Sequence, residues 1–158
     1  MAFSVKPAII EEKQIIFALI QPFLDELSQF PDQDPDYKDE DGVYQYPYLG
    51  HYWREKERFP YLLYSDSNIA GFALVRQGWE QWEMAEFYVS PEFRRRGLAM
   101  TCVTEIFKRH PGLWRISFNK YNNPSRQLWK KLALTLTRGD IEEGESDKNH
   151  DYILFSIS

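Results

Sequence analysis

The chain has 158 residues, 43% hydrophobic, 16% aromatic and 27% charged, with a formal net charge of −5. That length predicts one domain over residues 1–158, and the acidic balance argues against a general nucleic-acid binder, which needs a basic face. The one cysteine, Cys102, leaves no internal disulfide and no cysteine-based zinc site, so no metal is expected. No apolar run approaches the ~20 residues of a membrane span and the N-terminus lacks a signal-peptide pattern, so a cytoplasmic protein without membrane partners is expected.

Residues 3–6 alternate enough for a short first strand. From about residue 9 to residue 30, Ile10, Ile15, Leu19, Ile20, Phe23, Leu24 and Leu27 recur at three- and four-residue spacings, the mark of an amphipathic helix. Pro22 lies inside it, removes a backbone donor and crowds the preceding turn, so a kink or two helices are expected. Residues 31–42, PDQDPDYKDEDG, have little to bury and read as a loop. This acidic loop is either a solvated connector or a negative lining that concentrates a cationic amine.

Tyr44, Tyr46, Tyr48, Tyr52 and Trp53 follow close together, and Tyr48, His51, Tyr52 and Glu55 can share a helical face after Pro47. The patch is a packing element or a wall whose phenols orient a polar ligand. Residues 61–64 and 69–76 read as a hairpin joined by the turn-formers Ser65, Asp66, Ser67 and Asn68. Residues 81–89 form the next strand.

Residues 87–100, FYVSPEFRRRGLAM, hold a strand end, a stop at Pro91, three arginines, and Gly97 at the head of a helix. The first N–H groups of a helix lack partners and its dipole is positive there, so this turn can cradle phosphate oxygens. Gly97 lets a ligand reach the backbone, and Arg94, Arg95 and Arg96 add forked cationic donors. Leu98, Cys102, Val103, Ile106 and Phe107 continue a helical stripe to Pro111 and Gly112. Cys102 lies on that stripe and reads as a core residue rather than a nucleophile.

Residues 113–118 read as a strand, and Asn122 with Pro124 as a capped helix start. Residues 135–141 are then expected as a strand, 142–151 as a polar turn and 152–157 as the closing strand.

The run from Arg94 to Ala99, R-x-x-G-x-A between strand and helix, resembles the pyrophosphate motif Q/R-x-x-G-x-G/A of the GCN5-related N-acetyltransferases. Asn122, Ser125, Leu128 and Trp129 resemble that family's later N-x-x-A-x-x-L/F-Y. The chain has neither a Walker Gly-Lys-Ser/Thr pattern nor G-x-G-x-x-G after a strand. The resemblance implies an α/β (α+β) fold, a mixed, mostly antiparallel twisted sheet flanked by helices, with parallel strands splayed apart at the cofactor. It implies acetyl-CoA as cofactor. The pyrophosphate would lie on the amides of Arg95, Arg96, Gly97, Leu98, Ala99 and Met100, with Arg94 at the first motif position. The pantetheine arm would run along Phe87, Tyr88 and Val89, flanked by Asn122, Ser125 and Trp129.

The implied reaction is direct attack on the thioester by a primary amine of a small molecule or peptide. An ammonium must first lose its proton. Glu86 and Glu83 are the candidate bases; a regular strand sets them on opposite faces, so at most one meets the acceptor, and Glu86 is preferred. The Val89 N–H is the implied oxyanion donor. The last motif position, a tyrosine acid in many relatives, is Trp129 here, and an indole is no acid. Tyr121 or Tyr152 substitutes, or solvent does, or the chain is a catalytically weak acyl-CoA-binding or sensing module. The Gly-Phe usual after the second motif is replaced by LALTLTRGD, a departure that bears on the C-terminal geometry. Homodimers are common in the family, so one is possible here.

Overall fold

The computed structural model describes residues 2–31 and 38–158. The middle of the acidic stretch, and with it the expectation that this loop draws a cationic amine, lies outside them. Among the described residues seven strands form one sheet in the order β1-β2-β3-β4-β5-β7-β6. They are β1 (Phe3–Pro7), β2 (Arg58–Ser65), β3 (Asn68–Gln77), β4 (Trp82–Val89), β5 (Gly112–Asn119), β6 (Glu142–Glu145) and β7 (His150–Ile157). Only β4 and β5 are parallel neighbours. The helices are α1 (Lys13–Leu27), α2 (Leu98–Arg109) and α3 (Asn123–Thr137).

Two apolar clusters sandwich this sheet. On one face Cys102, Val103, Ile106 and Phe107 of α2 and Leu132 and Ala133 of α3 pack on Ala73, Val75, Trp114 and Ile116. On the other, Ile16, Ile20 and Phe23 of α1 pack with Leu49 and Tyr52 on Leu62, Phe72, Leu74 and Tyr88. The expected mixed, mostly antiparallel sheet flanked by helices is therefore present.

Pro22 does not divide α1, which runs from Lys13 to Leu27 after a 3₁₀ turn at Ile10–Glu12. An interior proline costs about 3 kcal/mol. Burying Ile16, Ile20 and Phe23 at about 1.5–3 kcal/mol each outweighs that.

The C-terminal reading needs correction. Residues 135–141 are not a strand, because α3 continues to Thr137 and closes through left-handed Arg138 and Gly139. The alternation in LALTLT fits either period, and only packing decides: Leu128, Leu132 and Leu136 fall four apart and meet the core as a helix. Glu142–Glu145, expected within a turn, pairs with β7 as an edge strand. Its charged side chains discourage pairing with another chain.

Two irregularities shape the centre of the sheet. Leu74 pairs with Glu86 but Val75 with Met84, so Ala85 is an extra residue, a β-bulge in β4. In addition, β4 and β5 pair only at Trp82 with Trp114 and Glu83 with Arg115, and the strands part beyond that point.

Candidate active site

β4 ends at Val89, and Pro91 opens the 3₁₀ turn Pro91–Phe93. The chain doubles back through left-handed Arg95 (φ 63) and Gly97 (φ 84) before α2 begins. That conformation costs an ordinary residue about 1–2 kcal/mol and glycine almost nothing. A Cβ on Gly97 would meet nothing within 4 Å, so the space over the turn is open. No side chain caps α2 and no acidic residue occupies its first turn, so the amides of Leu98, Ala99 and Met100 face that space. The Leu98 side chain itself is core, 1% exposed. Arg95 and Arg96 are exposed beside the turn.

The splayed edge of β4 forms the next wall. Ser90 N donates to Ala70 O at 2.8 Å, which makes Ala70 and Ser90 a hydrogen-bonded pair. Gly71–Val89 and Ala73–Phe87 are then the alternate pairs, in which the N–H and C=O groups of Phe87 and Val89 turn away from β3 toward the gap before β5. Tyr88 turns the other way: its backbone pairs with Phe72, and its ring packs edge-on against Phe23 at 5.7 Å. Across the gap, Asn122 caps α3 by accepting from Ser125 N at 3.2 Å. Trp129, 5% exposed, sets its ring edge-on to Phe87 with centroids 5.3 Å apart. An extended, amide-bearing ligand with phosphates fits this combination of open strand edge and donor-rich helix start.

Arg94 is engaged as a tie. Its Nε donates to Val89 O at 2.7 Å, its Nη2 reaches both carboxylate oxygens of Glu26, and its guanidinium lies 5.5 Å from the Tyr88 ring centroid.

The bulge decides what meets the opposite face. Arg76 faces Glu83 and Leu74 faces Glu86 across β3 and β4, and Leu74 and Arg76, two apart, share a face. Glu83 and Glu86 therefore lie together on the α1 face, contrary to the alternation expected of a regular strand. Arg58 of β2 stands opposite Arg76, extending the row to Arg58, Arg76 and Glu83. Arg76 Nε donates to Glu83 Oε2 at 2.7 Å.

The aromatic segment folds over this face. Gln21 of α1 holds the Tyr44 backbone at both ends, Oε1 accepting from N at 2.8 Å and Nε2 donating to O at 2.9 Å. Trp53 Nε1 donates to Ala8 O at 2.8 Å. The expected helical face is a 3₁₀ turn, Leu49–Trp53. With three residues per turn Tyr52 aligns with Leu49 instead of Tyr48. Tyr52 is accordingly buried, Tyr48 is exposed, and His51 pairs with Glu55 at the rim.

These residues make one polar cluster. Burial pushes the Glu86 carboxyl up to about 8, with Arg76 pulling it back, and no described residue hydrogen-bonds it. Burial raises the Tyr46 phenol well above the tyrosine range, and Glu86 raises it further. Burial likewise raises Tyr52, against the pull of Arg58 and Arg76. The Tyr52 hydroxyl is buried without a hydrogen-bond partner.

Of the candidate acids, Tyr121 is 55% exposed in the turn leading to α3, with Lys120 over its ring at 5.4 Å. Tyr152 lies on β7 beneath Arg115, 4.3 Å from its ring centroid. Cys102 is 1% exposed and burial pushes its thiol up to about 11, as suits a core residue. Among the described residues no group of three or more His, Cys, Asp or Glu is placed to hold a metal, and no helix is long and apolar enough to cross a membrane. Sequence reasoning missed Arg58 and Arg76; each sits at the end of a largely apolar strand, a signal that shows the residues but not their pairing.

A model of the acetyltransferase (GNAT) family matches residues 22–133. No curated protein sequence matches significantly. Among solved structures, a GNAT-family acetyltransferase from Streptococcus agalactiae is similar with TM-score 0.72 and 17% identity, covering 99% of this chain and 96% of that one. The PaiA N-acetyltransferase of Thermoplasma acidophilum, solved with coenzyme A, gives TM-score 0.66 at 14% identity over 99% of each chain. The ribosomal-protein-S18-alanine N-acetyltransferase of Escherichia coli gives 0.65 at 12% identity, over 99% of this chain and 95% of that one.

Proposed function

Because the chain belongs to the GNAT acetyltransferase family and is an acetyl-CoA-dependent N-acetyltransferase, we propose that it acetylates a primary amine of a small molecule or peptide by direct attack in a ternary complex. Bound acetyl-CoA supplies the thioester carbonyl. The amides at the head of α2, with Arg95 and Arg96, hold its phosphates, and the Phe87 and Val89 edge aligns its arm.

The observation that carries the reading is the position of Glu86: it stands half-buried on β4, on the α1 face with Arg76 and Glu83 and three residues before Val89, and its surroundings push its carboxyl up to about 8. A primary ammonium has a pKa near 10, so giving its proton to an ordinary glutamate costs about 8 kcal/mol, and to a group near 8 only about 3. Glu86 accepts that proton, while Glu83 holds Arg76 in place. The Val89 N–H, turned into the gap, meets negative charge developing on the carbonyl oxygen. We assign protonation of the departing sulfur to Tyr121, since Trp129 has no acidic proton to give. The same reading has the chain act as one domain, residues 1–158, in the cytoplasm, where its lone thiol stays reduced.

Amine-dependent thiol release from acetyl-CoA, lost in Glu86→Gln, tests this. A second reading, a CoA-binding module without turnover, is favoured by Trp129 alone. Tight acetyl-CoA binding with no thiol release for any amine would establish it instead.

A further inference from the structure

Arg58 and Arg76 face each other directly across β2 and β3. Like charges in that position repel. Their carboxylate partners do not use the terminal nitrogens: Arg58 Nε reaches Glu55 Oε1 at 3.3 Å and Arg76 Nε reaches Glu83 Oε2 at 2.7 Å, which leaves the Nη atoms beside the Tyr52 hydroxyl without a carboxylate among the described residues. Paired guanidinium ends suit a carboxylate.

A second observation points to the same place. Tyr52 is 3% exposed and its hydroxyl has no partner, a state that destabilises a fold unless a ligand completes it. The Arg58 guanidinium lies 5.2 Å from its ring centroid and leans toward the hydroxyl without reaching hydrogen-bond geometry, and Arg58, Arg76 and Glu86 all act on that hydroxyl electrostatically. Glu86 stands opposite Leu74, two residues from Arg76. The Arg76 charge acts on the Glu86 carboxyl across the bulge, so the two are near enough for one small molecule to contact both.

We propose that the acceptor is a free amino acid, its carboxylate held by Arg58, Arg76 and Tyr52 and its amine presented to Glu86; this rests on the reading of the chain as an N-acetyltransferase. Glu55 and Glu83 already offset one arginine each. A phosphate dianion in place of the carboxylate would add a second negative charge beside Glu55, Glu83 and Glu86.

The test is thiol release with a panel of amino acids, their amides, the corresponding decarboxylated amines and an amino-alcohol phosphate ester. Amino acids should exceed their amides in kcat/KM by at least about tenfold, since a site built for hydrogen bonds rejects analogues that lack the group. Arg58→Gln should reduce that preference to about threefold or less, through KM, with acetyl-CoA binding intact as proof of folding. Tyr52→Phe should leave Tm unchanged or higher, because the lost oxygen had no partner, yet raise KM for the amino acid about fivefold or more. Equal use of amides and amines, or preference for the phosphate ester, would overturn the carboxylate assignment and leave the acetyltransferase reading standing. Acetyl-CoA binding without turnover of any amine would overturn both.

Discussion

Arg94 Nη2 stands 2.8 and 2.9 Å from the two carboxylate oxygens of Glu26, while its Nε holds Val89 O at 2.7 Å. One side chain thus joins the last turn of α1 to the end of β4, immediately before the left-handed turn at Arg95 and Gly97. Both partners are 40% exposed, so the pair contributes no more than about 1 kcal/mol to stability. Arg94→Ala should lower acetyl-CoA affinity about tenfold by loosening the turn, with at most that small stability loss. Glu26→Gln should reproduce part of the affinity loss. Titration calorimetry checks both; an inert Glu26→Gln would mean that Arg94 acts on the phosphates directly.

Glu86 gives a pH signature in stability and activity. Its folded value lies near 8 against an ordinary 4.5, so the folded state binds its proton more tightly. The stability this contributes is complete below about 4.5 and is lost as pH rises through about 8. Denaturant titrations should show that decline in the wild type and its absence in Glu86→Gln. In the same range kcat/KM should rise with pH as the carboxylate forms, and Glu86→Gln should lower it by about 10²–10⁴.

Gly97→Glu places a side chain in the open space over the turn, at φ 84. The backbone strain costs about 1–2 kcal/mol, so the fold survives. Acetyl-CoA binding should be abolished by bulk and like charge. A thermal-shift titration reads this, since a ligand of the folded state must raise Tm; an undiminished shift would contradict the placement of the phosphates.

Trp129 and Tyr121 separate packing from acid chemistry. Trp129→Phe trims a side chain set against Phe87 and should cost about 1–2 kcal/mol, with kcat changed less than about threefold because no acid is lost. Tyr121→Phe should lower kcat about tenfold without altering acetyl-CoA affinity. An unchanged kcat would assign the proton to solvent.

The turn at Val89, Pro91 and Gly97 and the cap at Asn122 were legible because each depends on neighbours a few residues away. Residues 135–141 were not, since LALTLT satisfies both periods until Leu128, Leu132 and Leu136 find the core together. The polar cluster on the α1 face was legible only as a list of aromatic residues. Ala85 carries no mark of a bulge, yet the bulge brings Glu83 and Glu86 to one face, and the register of three strands sets Arg58 against Arg76. Local chemistry, written in adjacent residues, was thus determined by the sequence alone: an open, arginine-rich helix start after a strand, and the family it points to. The displaced proton affinity of Glu86 and the orphaned Tyr52 hydroxyl were decided only in the tertiary structure, because burial and cross-strand register belong to residues far apart in the chain.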